Sequence, residues 1–193
     1  MNLVKKNNPT YHEEKLEEIR YGLESIYLTY TKIFVIFVLA YFLGIIKETF
    51  LLLLTYNIIR TFAFGIHATK SIYCLITSLM LFIGGVYIVK YMSLNIYVKT
   101  IISIMLLICI YKYAPADTYK RPLINERKRK KYKVISTILG IAYVILIIIL
   151  NNNIISNYLL IGMLESVIMI HPLIYKIFNL PFDNYKKYKL NTV

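Results

Sequence analysis

The chain has 193 residues, of which 58% are hydrophobic and only 17% charged, against roughly 45–50% and 25% in a typical soluble domain. The apolar residues fall in runs of membrane length, which argues against a conventional soluble domain and for one membrane-embedded domain spanning 1–193. The formal net charge is +13; since the basic residues cluster between apolar runs, the expected partners are anionic lipid headgroups or an acidic peptide, with no nucleic acid.

The first 25 residues are polar and charged, without the apolar stretch of a cleavable signal peptide near Met1. Residues 10–30 read as an amphipathic helix running into a membrane span. Thr10 and Glu13 have capping-box spacing. Leu16, Ile19, Leu23, Ile26 and Tyr30 fall on one face, with Glu13, Glu14, Glu17, Glu18 and Arg20 largely elsewhere. Such a segment lies on a membrane surface or packs on another part of the protein.

A helix needs roughly 20 mostly apolar residues to cross a bilayer core. Candidate spans are 26–46, 50–63, 71–89, 94–111, 134–150 and 154–178. The second is short, which predicts a tilted, partly buried or re-entrant helix whose backbone is satisfied by protein or water. The expected fold class is all-α: a polytopic integral membrane protein with about six transmembrane helices, preceded by the amphipathic helix.

Lys and Arg prefer the cytoplasmic side of a membrane. With six spans, the N-terminal arm, the second and fourth connections and the C-terminal tail share one side, and they hold 19 of the 23 Lys and Arg. The other side has Lys47 and Lys90, while Lys32 and Lys99 lie in or near span ends. The asymmetry predicts a multi-pass cell-membrane protein with both termini and the second connection in the cytoplasm.

That second connection reads RTFAFGIHATKSIYCL from Arg60 to Leu75. A thiolate is a strong nucleophile, and histidine is the usual base that generates one. On one continuous helix His67 and Cys74 would share a face but stand about 10 Å apart, too far for a hydrogen bond. If the two react, the chain must bend between them. Gly65 supplies freedom near the bend, Thr69 or Ser71 can cap a new helix, and Cys74 then lies near its first turn, beside Lys70. The alternative is an ordinary membrane-helix junction that holds two reactive residue types.

This segment resembles the Arg…Gly-Gly-x-His-Ala…Cys signature of the AgrB family, membrane endopeptidases of accessory gene regulator quorum sensing. About forty residues on, YAPADTYKRPLINERKRKK is similar to the Tyr-Ala-Pro-Ala-Asp-Thr…Lys-Arg-Pro-Ile block of the same family. The two motifs occur in the family's order, and the resemblance covers nearly the whole chain. Phe64 departs from it, standing where the first glycine of the pair is usual.

The resemblance implies a cysteine peptidase that cleaves the C-terminal part of an AgrD-like precursor. Cys74 would be the nucleophile and His67 the general base, with Arg60 and Gly65 at further positions needed for activity. An internal cysteine or serine of the peptide would resolve the acyl-enzyme into a cyclic thiolactone or lactone. The family also implies a homodimer. Asp117 is the nearest matching acid to orient His67, or else a turn residue after Pro115. The run 126–133, with Lys128, Arg129, Lys130 and Lys131, binds the acidic part of the precursor or anionic lipid, or only sets topology.

Elsewhere, Glu165 is an intramembrane acid expected to find a partner in a helix interface. His171-Pro172 marks a kink, and Cys109 packs as a small hydrophobe. No pattern calls for a metal or a cofactor. Two other function classes stay open: a non-catalytic membrane peptide transporter or binding protein, and a membrane thiol acyltransferase using Cys74.

Overall fold

The computed structural model describes residues 13–66, 71–118, 123–150 and 153–186. Thr10 of the expected capping box and His67 lie outside them. The described elements are α1 (Glu13–Phe42), α2 (Ile46–Ala63), α3 (Ser71–Leu79), a π-helical turn (Met80–Gly84), α4 (Gly85–Tyr91), α5 (Ile96–Tyr113), α6 (Glu126–Ile149), α7 (Ile154–Ile170) and α8 (Pro172–Ile177). The chain is an all-α membrane protein. Three helices, Ile72–Tyr91, Ile96–Tyr113 and Glu126–Ile149, are long and apolar enough to cross a bilayer, and Ile26–Phe42 and Ile154–Ile170 are shorter apolar helices.

The amphipathic segment and first span are one helix. Leu16 is buried, but Leu23, Ile26 and Tyr30 of the same apolar face are exposed, so that face points outward. Gly44 ends the helix at φ +67. Its N–H donates to the Tyr41 carbonyl and that of Ile45 to the Ala40 carbonyl, the paired bonds of a glycine C-cap. Glu48 lies in the first turn of α2, where the positive end of the helix dipole favours it.

α2 begins four residues before the expected 50–63. It carries Lys47, Glu48 and Arg60, yet it is the hub of the bundle. It packs most extensively on α7 and also meets α6. Thr49 and Thr55 are buried, Glu48 and Arg60 half-buried, and Lys47 exposed, so the helix is partly buried, as expected of a short polar span. On α7, Gly162 lets the backbones approach: a side chain there would meet Thr55 Oγ1 at 2.5 Å and Thr55 backbone at 3.0 Å. Small residues at such contacts are how membrane helices come close without a hydrophobic driving force.

The span after the second connection is α-helical except at Met80–Gly84, where a π turn intervenes. The basic run before the fifth span is itself helical, so α6 starts eight residues earlier than the expected 134. Asn125 caps it, its side chain accepting from the Lys128 N–H at 3.2 Å. The last span breaks at the expected place. α7 ends at Ile170, His171 Nδ1 accepts from the Leu173 N–H at 3.3 Å, and Pro172 takes the first position of α8, where its missing N–H costs nothing.

Glu165 is buried, and among the described residues its Oε2 has no hydrogen-bond partner. It faces Gly85, where a side chain would meet Glu165 Oε1 at 2.5 Å, so the missing side chain there makes room for the acid. Cys109 is half-buried against the core as expected.

Candidate functional site

The bend after α2 is built by the backbone. Phe64 has φ 56 and ψ −135, and Gly65 has φ +114. Both lie in conformations that L side chains rarely adopt, so the positions of the expected glycine pair are the ones that need glycine. Phe64 takes the strained geometry with a side chain attached. Its ring packs edge-on against Tyr132 with centroids 5.1 Å apart, which offsets strain of order 1–3 kcal/mol.

Three neighbouring segments fix the bend. The Gly65 N–H donates to the Ala116 carbonyl at 2.8 Å, the Ala116 N–H to Ala63 at 2.9 Å, and the Ile66 N–H to Met169 at 3.0 Å. Arg60, one turn back, donates from Nη2 to the Ile66 carbonyl at 2.6 Å. A Cβ on Gly65 would run into Arg60 Nη1 and the Met169 carbonyl. Arg60 and Gly65 therefore form one unit that holds the chain immediately before His67. Sequence reading expected Gly65 to make the bend free; the structure shows it making the bend tight.

Cys74 lies in the first turn of α3, and the stretch after His67 where a bend was expected begins outside the described residues. It is half-buried and opens on a cavity of about 230 Å³ between α1, α2, the α3–π segment and the end of α7. Ile36, Leu81 and Phe82 are among its apolar walls, and Lys32, Tyr56 and Arg60 its polar ones. Lys32 Nζ donates to Cys74 Sγ at 3.1 Å. Among the described residues, Arg60 Nη1 is buried without a hydrogen-bond partner.

Asp117 is almost fully buried. Its carboxylate accepts from the backbone N–H of Asn184 at 2.9 Å, of Tyr185 at 2.8 Å and of Leu123 at 3.3 Å. Its own carbonyl accepts from Tyr175 OH at 3.0 Å. Among the described residues, then, the acid ties the Ala-Pro-Ala-Asp block, which begins with a cis Ala114–Pro115 bond, to the C-terminal segment.

The basic run divides. Lys128, Lys130 and Lys131 are exposed. Arg129 is half-buried with its guanidinium 3.5 Å from the Tyr185 ring centroid, which makes it a packing residue as well as a charge. Tyr132, within the run, contacts Phe64, so the run stands at the same end of the bundle as the bend. Among the described residues, parts of the second connection, the fourth connection and the C-terminal segment thus meet at one end.

Sequence reasoning placed Lys32 only near a span end and gave no role to Asn184 or Tyr185. Each partner is more than 40 residues away, and no local periodicity carries that information.

The model of the accessory gene regulator B family matches residues 1–170. An AgrB-like protein of Listeria innocua is 31% identical over 190 residues, covering 97% of this chain and 92% of that protein. One from Clostridium acetobutylicum is 30% identical over 175 residues, 91% of this chain and 84% of that one. The accessory gene regulator protein B of Staphylococcus aureus is 32% identical over 173 residues, 89% and 90%. No solved structure matches. With the tight bend, the cysteine beyond it and a family match across most of its length, the chain belongs to the accessory gene regulator B family.

Proposed function

We propose that this protein is a membrane cysteine endopeptidase of agr quorum sensing. It cleaves the C-terminal part of an AgrD-like precursor and helps form a cyclic thiolactone or lactone. The observation that carries the reading is Cys74 Sγ, in the first turn of α3, on the wall of a largely apolar cavity that Arg60 and Ile66 of the bend also line.

In this reading His67 takes the Cys74 thiol proton, and the thiolate attacks the scissile carbonyl. The C–S bond forms, the C–N bond breaks, and His67 returns the proton to the leaving amine. An internal thiol or hydroxyl of the bound peptide then attacks the thioester, releasing the ring and regenerating Cys74. Exchange of one thioester for another is nearly neutral in energy, and a tethered nucleophile has a large effective concentration relative to water. The apolar walls limit competing hydrolysis.

Arg60 and Gly65 position the His67 segment, and Asp117 holds the block against which that segment is paired. Exposed Lys128, Lys130 and Lys131 offer a basic surface at the same end of the bundle for the acidic part of the precursor, or for anionic lipid. A homodimer with a cytoplasmic site completes the reading.

Co-expression with the cognate precursor tests it. Cys74→Ala and His67→Ala are each expected to abolish the change in precursor size, while Cys109→Ala leaves it intact. Normal processing by Cys74→Ala would overturn the peptidase; continued export of uncut peptide by that variant would favour a transporter.

A further inference from the structure

We propose that Lys32, on the N-terminal helix, is a further catalytic residue, the counter-ion of the Cys74 sulfur. The proposal rests on the peptidase reading above and adds a helix to the site that neither sequence motif contains.

Four observations converge. Lys32 Nζ lies 3.1 Å from Cys74 Sγ, a distance for a charge-assisted contact. Lys32 is half-buried in the apolar half of α1, where an ammonium is costly unless it faces a partner or a cavity. Thr29, Lys32, Ile33 and Ile36 recur at helical spacing on the face of α1 that lines the cavity, and Lys32 is the cation of that face. Finally, the described residues lining the cavity include two cations, Lys32 and Arg60, and no carboxylate. An apolar cavity with an uncompensated positive lining invites an anion, and the sulfur is the atom within reach that becomes one.

The two cations differ in use. Arg60 spends Nη2 on the Ile66 carbonyl and so serves the bend, whereas the Lys32 contact goes to the reacting atom. Among the described residues, the other titratable groups lining the cavity with Cys74 are Tyr56 and Arg60 from α2 and Tyr73 from α3 itself. In the reaction Lys32 keeps its proton throughout. The thiol proton goes to His67, and the ammonium holds the sulfur's negative charge until the C–S bond forms and that charge passes to the carbonyl oxygen.

The test reads the thiol apart from the peptide. In a Cys109→Ala background Cys74 is the one remaining cysteine, and its alkylation by iodoacetamide is timed in detergent-purified protein. Lys32→Met is expected to slow alkylation at pH 7 by about tenfold, because the ammonium that holds the charge of the attacking sulfur is gone. Lys32→Arg keeps the charge and is expected to stay within about threefold of the parent. Processing of co-expressed precursor should fall in the same order.

Parental alkylation by Lys32→Met would overturn the proposal even if processing were lost, since Lys32 would then only shape the cavity. If Lys32→Met does not fold, a folded Lys32→Arg alkylated about tenfold more slowly or worse would overturn it instead. A slowed Lys32→Met beside a Cys74→Ala variant that still processes would overturn the peptidase reading, and with it the catalytic role, while leaving the ion pair in place.

Discussion

The two faces of α2 are built for different ends. One carries Leu52, Thr55, Ile59 and Ala63, all buried, against α6 and α7. There Thr55 Oγ1 donates to the Tyr158 carbonyl at 3.2 Å, Tyr143 OH to the Thr55 carbonyl at 2.8 Å, and Ser166 Oγ to the Tyr56 carbonyl at 3.3 Å. The other carries Leu53, Tyr56, Asn57 and Arg60 and lines the cavity beside Cys74. A single helix thus has a closed wall of buried residues and side-chain-to-backbone bonds, and an open one bearing Arg60 that shares the cavity with Lys32 of α1 and the Cys74 thiol of α3. The closed wall fixes where α2 ends, and the end of α2 fixes the bend that leads into the site.

That contrast breaks most sharply where the walls meet. Gly65→Ala adds a side chain at φ +114 and against both Arg60 and the Met169 carbonyl. The expected cost is about 3 kcal/mol, seen as a lower thermal midpoint in detergent together with lost precursor processing. Gly162→Ala strikes only the closed wall. Thr55 and its backbone must move, a loss of about 2 kcal/mol in the same melt, while processing per folded molecule persists. If Gly162→Ala abolished processing without destabilising, the separation of the two faces would be wrong.

Asp117→Asn removes the charge from the backbone cluster at Leu123, Asn184 and Tyr185 but keeps one acceptor. It is expected to cost about 1–2 kcal/mol and to make the C-terminal segment more sensitive to protease, which limited digestion would reveal. The smallest effect belongs to Phe64→Gly. It relieves the positive-φ strain and forfeits the contact with Tyr132, two terms that leave a net change under about 1 kcal/mol. A loss well above that in the melt would show that Phe64 matters for its ring rather than merely tolerating its backbone.

The runs of apolar residues made the helices legible, because membrane length is written into composition. Their ends were less so. α2 began earlier and α6 much earlier than apolarity indicated, since Lys47, Glu48 and the 126–133 run are polar yet helical. In the site, the motif spacing asked for a bend between His67 and Cys74, a stretch that begins outside the described residues, whereas the bend the structure describes stands before His67. What spacing could not convey was that Phe64 and Gly65 share the unusual geometry, or that Ala116 and Met169 lock it. Lys32 and Lys99 looked alike as charges near span ends. In the fold Lys99 is buried and donates to Ser156 Oγ at 2.8 Å, whereas Lys32 meets the thiol. Only tertiary packing separates them.

The central claim is that Cys74 forms a covalent bond to the precursor. It is tested most directly by co-expressing the chain with a precursor whose ring-closing Cys or Ser is replaced by Ala, then measuring the intact mass of the purified protein. The account predicts an added mass equal to the N-terminal portion of the precursor, mapped to Cys74 and released by hydroxylamine, as a thioester would be. A precursor cut at the same bond with no adduct on Cys74 would contradict it.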